Sequence, residues 1–154
     1  MKLFKRLLFT SMVVFISIQC IRPARNQSGL VSAFDITKTL DVPANVLITF
    51  QKACYDCHSN NTRYPWYMNV QPMGWLITSH IKNGKENLNF SEFGSYSRRK
   101  QANKLRAIAK NISEGSMPIS SYTIMHIDAK LNKESKESIK EWVTKTRDSL
   151  LATN

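Results

Sequence analysis

The sequence predicts an all-α domain preceded by a single N-terminal hydrophobic helix. Three observations carry that reading. From Asp41 onward, apolar residues recur at helical spacing in four segments. No run alternates apolar and polar residues as a half-buried strand does. Leu7–Ile21 is a fifteen-residue stretch without a charge. At 154 residues, 42% of them hydrophobic, the chain has room for one small domain and an appendage.

The appendage comes first. MKLFKR supplies a positive flank, and the apolar run that follows spans about 22 Å as a helix, at roughly 1.5 Å per residue. Lys5 and Arg6 can snorkel, and Leu3 and Phe4 lengthen the apolar stretch. The tail SIQCIRPARNQ offers no well-placed small residues for a signal peptidase, and Gln19 stands where a lipoprotein signal needs a small residue before Cys20. The expectation is an uncleaved anchor in the cytoplasmic membrane, with the body exported to the periplasmic side. A cleaved signal peptide and a lipoprotein are the alternatives. The chain then divides into a signal or anchor (residues 1–25), a polar tether (26–40) and a domain (41–152).

Asp41 and Pro43 make a helix start, and Val46, Leu47, Phe50, Ala53, Cys54 and Cys57 fall on one face of the helix that follows. A loop rich in aromatics and proline, RYPWYMNVQP, leads to a second helix beginning near Pro72. There Met73, Leu76, Ile77, His80 and Ile81 share a face, and NGK at 83–85 reads as the end. A third helix is predicted from Ser97 to Glu114 on the arc Ala102, Leu105, Ile108, Ala109 and Ile112. The last begins at an Asn132 cap and turns Ile139, Trp142, Val143 and Leu150 inward. Four short helices with long loops suit a domain that shares its core with a cofactor.

Formal charge is +11, but five of the 22 basic residues lie within the first 25 positions and all 11 acidic residues lie beyond position 30, so the body carries +6. The third helix concentrates this excess: Arg98, Arg99, Lys100, Lys104, Arg106 and Lys110 form an arc without an acidic residue. No nucleic-acid-binding motif accompanies the charge. An acidic redox partner or an anionic membrane surface fits it instead.

The chemistry is concentrated in ACYDCHSNN at 53–61, where Cys54, Cys57 and His58 have the spacing C-x-x-C-H. Two thiols and an imidazole this close can hold zinc, cycle a disulfide or carry a covalent haem. Zinc needs four ligands, and only His80 and His126 remain as strong additional donors, with no second cysteine pair. A thioredoxin-like site belongs at a strand-to-helix junction, whereas this motif closes a helix. A structural disulfide leaves the adjacent histidine unexplained. Haem accounts for all three residues: the thiols add to the porphyrin vinyl groups, and the next residue offers its imidazole to iron. Small cytochromes place a sixth ligand, often methionine, on a loop before the last helix. Here that loop reads EGSMPISSY at 114–122, where Gly115 permits a tight turn and Pro118 biases Met117 to an extended backbone.

These residues resemble the small haem-binding domain family of exported bacterial proteins, itself similar to c-type cytochromes. The likeness runs from about Pro43 to Trp142. It rests on CYDCHSNNTRYPWY, on His80 leading into NGKENLNFSEF, and on SMPISSYTIMHIDAKL, with IQCIRPARNQS looking like the family's membrane-proximal signature. Lys85, Phe93 and Ile127 depart from the family pattern, which has arginine, tryptophan and proline there; a lysine at 85 weakens a bidentate propionate contact. The resemblance implies a small cytochrome c-like helical domain that binds haem.

The expectation is a monohaem electron carrier with one covalent haem c per chain. Cys54 and Cys57 form the thioethers, His58 is the proximal ligand and Met117 the distal one, with His80 and His126 as alternatives. Arg63 is the expected propionate partner. Trp66 and Tyr67, with Tyr64 and Trp75, are read as a pocket wall whose simpler role is core packing. Pro65 or Pro72 is expected to offer the carbonyl that accepts the proximal imidazole N–H. The expected partners are a redox protein, an acidic one fitting the basic body, and the membrane, contacted through the N-terminal helix. Two alternatives remain: a haem sensor or peroxidase-like enzyme with an exchangeable sixth site, or a structural zinc or disulfide module.

Overall fold

The computed structural model describes residues 1–152. They are 69% helical and contain no strand; one isolated bridge joins Gln27 to Asn61. The α-helices are α1 (Lys2–Ile18), α2 (Ile36–Thr39), α3 (Ala44–Ala53), α4 (Tyr55–His58), α5 (Met73–Asn87), α6 (Arg98–Ser113), α7 (Ser120–Met125) and α8 (Lys133–Ala152). Three short 3₁₀ turns, at Trp66–Asn69, Phe90–Ser95 and Ile127–Ala129, complete the order.

The N-terminal segment requires a correction. α1 begins at residue 2 and takes in Lys2, Lys5 and Arg6, so no separate hydrophobic helix follows a charged flank. Its 17 residues reach about 25 Å at roughly 1.5 Å per residue, short of a hydrocarbon core of about 30 Å, and its first turns are cationic. Among the described residues no helix is long and apolar enough to cross a membrane. The expected membrane anchor, and the placement of the domain at a membrane face that depended on it, are not supported. The base of α1 instead meets the domain. The Gln71 backbone N–H donates to the Gln19 side chain at 2.9 Å, and Trp75 Nε1 donates to the Ile21 carbonyl at 2.8 Å.

Residues 26–40 contact the body along their length. Ser28 N donates to the Asn60 carbonyl (3.0 Å), Thr62 N donates to the Asn26 carbonyl (2.9 Å), and Ile36 enters the core. Asp35 caps α2 by accepting from Thr37 N.

The core is an aromatic stack closed by two long helices. Phe50 of α3 stacks on Phe90 (5.0 Å), meets Trp142 of α8 edge-on (5.7 Å), and Phe90 carries Tyr55 on its other side (5.1 Å). α6 lies along α8, so that Leu105, Ile108 and Ile112 meet Ile139, Trp142 and Val143 in one cluster. These are the inward arcs read from the helical period. Burying each large side chain contributes about 1.5–3 kcal/mol. Ser97 precedes α6, and Asn132 caps α8 by accepting from Ser135 N at 2.8 Å. Gly115 ends α6 at φ +69°, a left-handed conformation that a side chain disfavours.

Two boundaries differ from expectation. The first helix breaks at Cys54 (φ −128°, ψ −40°), so the C-x-x-C-H motif forms its own turn, α4. The break lets Tyr55 stack on Phe90 while both thiols line a cavity. α5 continues through Asn83-Gly84-Lys85 to Asn87. Gly84 is retained inside a helix because α5 presses on the motif there: a Cβ at 84 would lie 2.5 Å from the Cys57 carbonyl oxygen.

Candidate functional site

The break at Cys54, the close approach at Gly84 and the loop after α6 surround one cavity of about 410 Å³. Cys54, Cys57 and His58 form one side. His80, Asn83, Gly84 and Asn87 come from α5; Lys104, Ala107, Ile108, Asn111 and Ile112 come from α6; Met117, Pro118 and Ile119 come from the loop. Ala53, Phe90 and Leu131 add apolar wall.

His58 is oriented by a backbone group. Its Nδ1 lies 2.9 Å from the Leu88 carbonyl, an acceptor, so Nδ1 carries the proton and Nε2 carries the lone pair. Burial lowers the imidazole pKa, opposed by the Leu88 and Gly84 backbone bonds, which keeps the ring neutral. A neutral imidazole with one nitrogen committed to a carbonyl is prepared to bind a metal through the other. The carbonyl comes from the first residue after α5, not from Pro65 or Pro72.

Both thiols are unpaired and partly buried. Burial, then the neighbouring Cys57 charge, pushes Cys54 up to about 12; burial, then Asp56, pushes Cys57 up to about 11. They are therefore protonated at neutral pH, unlike low-pKa redox cysteines. Among the described residues no group of three or more His, Cys, Asp or Glu side chains is gathered to hold a metal ion, which leaves a zinc site without its ligands.

Met117 lines this cavity, 38% exposed, on a loop held by Ser116 N and Met117 N, which both donate to the Asn111 carbonyl (3.0 and 3.4 Å). His80 also lines it. His126 does not: it lines a smaller adjoining cavity of about 180 Å³ with Arg63, Tyr67, Met68, Met73 and Met125, and its Nε2 lies 2.7 Å from Tyr67 Oη.

The remaining sequence candidates do not line the larger cavity. Arg63 donates to Asp56 through its backbone N (3.1 Å), Nε (3.2 Å) and Nη2 (3.2 Å). Trp66 is 77% exposed and lines neither cavity. Tyr64 accepts from Asn26 N at 2.7 Å. Lys85 donates to the Asn26 side chain at 2.6 Å, Phe93 is in the core, and Ile127 is exposed.

Lys104 and Asn111 were not foreseen. Lys104 is the lysine that lines the larger cavity, and no arginine does. The available signal was a polar pair seven residues apart, flanking Ala107 and Ile108 on one helix face.

The sequence model of the haem-binding domain family matches residues 13–145. The chain belongs to the haem-binding domain family. Comparison with curated proteins and with solved structures found no match. The donor set of this haem-binding domain fits the group: two thiols, a carbonyl-anchored imidazole and a methionine open onto one apolar-walled cavity, and one cation stands at its wall to balance carboxylates.

Proposed function

We propose that this haem-binding domain is a monohaem electron carrier of c type. Cys54 and Cys57 would hold the haem covalently, and His58 and Met117 would supply its iron ligands. The observation that carries the reading is the His58 Nδ1–Leu88 bond beside both thiols, in the cavity that Met117 lines. Bound haem supplies a one-electron couple between ferrous and ferric iron. The chain's own residues tune it. The Leu88 carbonyl fixes the imidazole tautomer and raises its basicity. Phe90, Ile108, Ile112 and Leu131 exclude water. Lys104 and Asn111 offer the donors for propionates, a role in which Arg63 is disfavoured because Asp56 already engages its guanidinium.

The partner on this reading is an acidic redox protein. The basic arc of α6 reaches the cavity wall at Lys104, so docking on that face brings a partner beside the haem site. Association should weaken as salt is raised.

One observation favours a second reading. The partial exposure of Met117, and of His80 facing the same cavity, is compatible with an exchangeable sixth position for sensing or peroxide chemistry.

Haem staining after denaturing electrophoresis of protein made with a cytochrome-maturation system tests covalent attachment; colourless, stain-negative protein overturns it. The weak long-wavelength charge-transfer band of methionine-ligated ferric haem tests the distal ligand. Met117→Ala should abolish the band, and a high-spin spectrum in the unmutated protein would favour the second reading.

A further inference from the structure

We infer that Asp56, the second spacer residue of the C-x-x-C-H motif, is the positioning residue for the distal half of the site, holding the Met117 loop in place through Tyr122. The inference rests on the proposed ligation by Met117.

The two spacer residues face different surroundings. Tyr55 stacks on Phe90 in the core. Asp56 is 6% exposed and ionic, which is costly unless its oxygens are satisfied. Its Oδ1 accepts from Arg63 N and Nε, and its Oδ2 accepts from Arg63 Nη2 and from Tyr122 Oη at 2.7 Å. Arg63 is close in sequence and fastens the carboxylate to its own turn. Tyr122 belongs to α7, five residues beyond Met117 and 66 beyond Asp56.

The distal loop is otherwise tied to its own side of the cavity. Gly115 N donates to the Ile112 carbonyl, and Ser116 N and Met117 N to that of Asn111, all three acceptors on α6. Among the described residues, the hydrogen-bond link from loop and α7 to the thiol-bearing segment is the Tyr122 hydroxyl, whose one proton goes to Asp56 Oδ2 at 2.7 Å, the Lys52 carbonyl at 3.3 Å being its more distant acceptor. A phenol donating to a carboxylate is the stronger kind, because the acceptor is charged. The Tyr122 ring is held by His126, stacked at 4.2 Å, so its hydroxyl is presented in a fixed direction. The thiols and the distal methionine are thus set relative to each other by one carboxylate that lies between the thiols in the chain.

Tyr122→Phe tests this with the ring and its stacking on His126 retained. The expected holoprotein carries covalent haem at the unmutated level. Its methionine-to-iron band is reduced, and added imidazole binds the ferric form roughly ten-fold or more tightly, as loss of one charge-assisted bond predicts. A purely structural role would lower the melting temperature without moving either reading. Asp56→Asn, a weaker acceptor of similar shape, is read in the same way and serves if Tyr122→Phe yields no holoprotein. A full band and unchanged imidazole affinity in the variant that carries haem overturn the inference. Met117→Ala, measured beside them, separates the two failures. If it abolishes the band while Tyr122→Phe keeps it, the ligand stands and the positioning role falls; if it keeps the band, the ligand assignment itself falls.

Discussion

His58 Nδ1 lies 2.9 Å from the carbonyl oxygen of Leu88, thirty residues downstream at the end of α5. That bond selects the tautomer, aims the ring, and depends on α5 approaching the motif turn closely enough to supply the carbonyl. The approach is made at Gly84, where a Cβ would meet the Cys57 carbonyl oxygen at 2.5 Å, its carbonyl carbon at 3.1 Å and its Cβ at 3.2 Å.

Gly84→Ala should therefore be destabilising. In an unobstructed helix interior the same change stabilises by about 1 kcal/mol. Here overpacking against backbone reverses the sign, at a cost of about 1–3 kcal/mol. Urea denaturation of the two proteins checks the direction. A more stable alanine variant with full haem content would show that α5 does not need this contact.

The thiols carry a pH dependence. Their pKa values are raised by burial, to about 12 for Cys54 and about 11 for Cys57, above the ordinary value of 9.0. The folded state holds these protons more tightly than the unfolded state. The resulting stabilisation is fully present below pH 9 and is lost as pH rises through 11 to 12. Haem-free protein should accordingly unfold more readily across that alkaline interval, and Cys54→Ser with Cys57→Ser should flatten the profile. At pH 8, iodoacetamide should label exposed Cys20 before either motif thiol, as peptide mass spectrometry can show.

Lys104 is expected to bear on the haem's electrostatics. Replacing this cavity-wall cation by an anion favours the more positive, ferric iron, so Lys104→Glu should lower the reduction potential, on the order of tens of millivolts. Redox titration in low salt measures it. Lys110→Glu serves as the control: it lies on the same helix, does not line the cavity and faces Glu114 at 3.8 Å. Equal shifts in the two variants would remove Lys104 from its proposed role.

Trp142 closes the core at the α8 end, edge-on to Phe50, and its Nε1 donates to the Asp41 carbonyl at 2.8 Å. Trp142→Ala loses both the buried ring and this bond and should cost about 3–5 kcal/mol. Trp142→Phe should recover most of that. Thermal unfolding of both variants, at matched haem content, reports the difference.

Helix identity was largely legible in the sequence because it is local. The arcs of α6 and α8 follow from spacing within one segment, and the Asn132 cap acts on a residue three positions away. α2 and α7, of four and six residues, are too short to carry a periodic signal. The end of α5 is not legible at 83–85, because Asn83 and Gly84 have the composition of a terminus whereas the glycine answers to a contact with Cys57, distant in sequence. The membrane anchor expected from the N-terminal run fails for the same reason: a charge-free stretch says nothing of where a helix begins, and α1 begins among the lysines.

By itself, the sequence determined an all-helical chain, a motif of two thiols and an imidazole, and a methionine loop placed before the last helix. Those are properties of neighbouring residues and survive without coordinates. Only the tertiary structure decided that Leu88 holds His58, that Lys104 rather than Arg63 stands at the cavity, and that Asp56 reaches Tyr122. The physical reason is common to all three. A backbone carbonyl has no residue-type signature, a lysine on a basic arc looks the same whether it faces solvent or a cavity, and a carboxylate's partner is chosen by packing across 66 positions of chain.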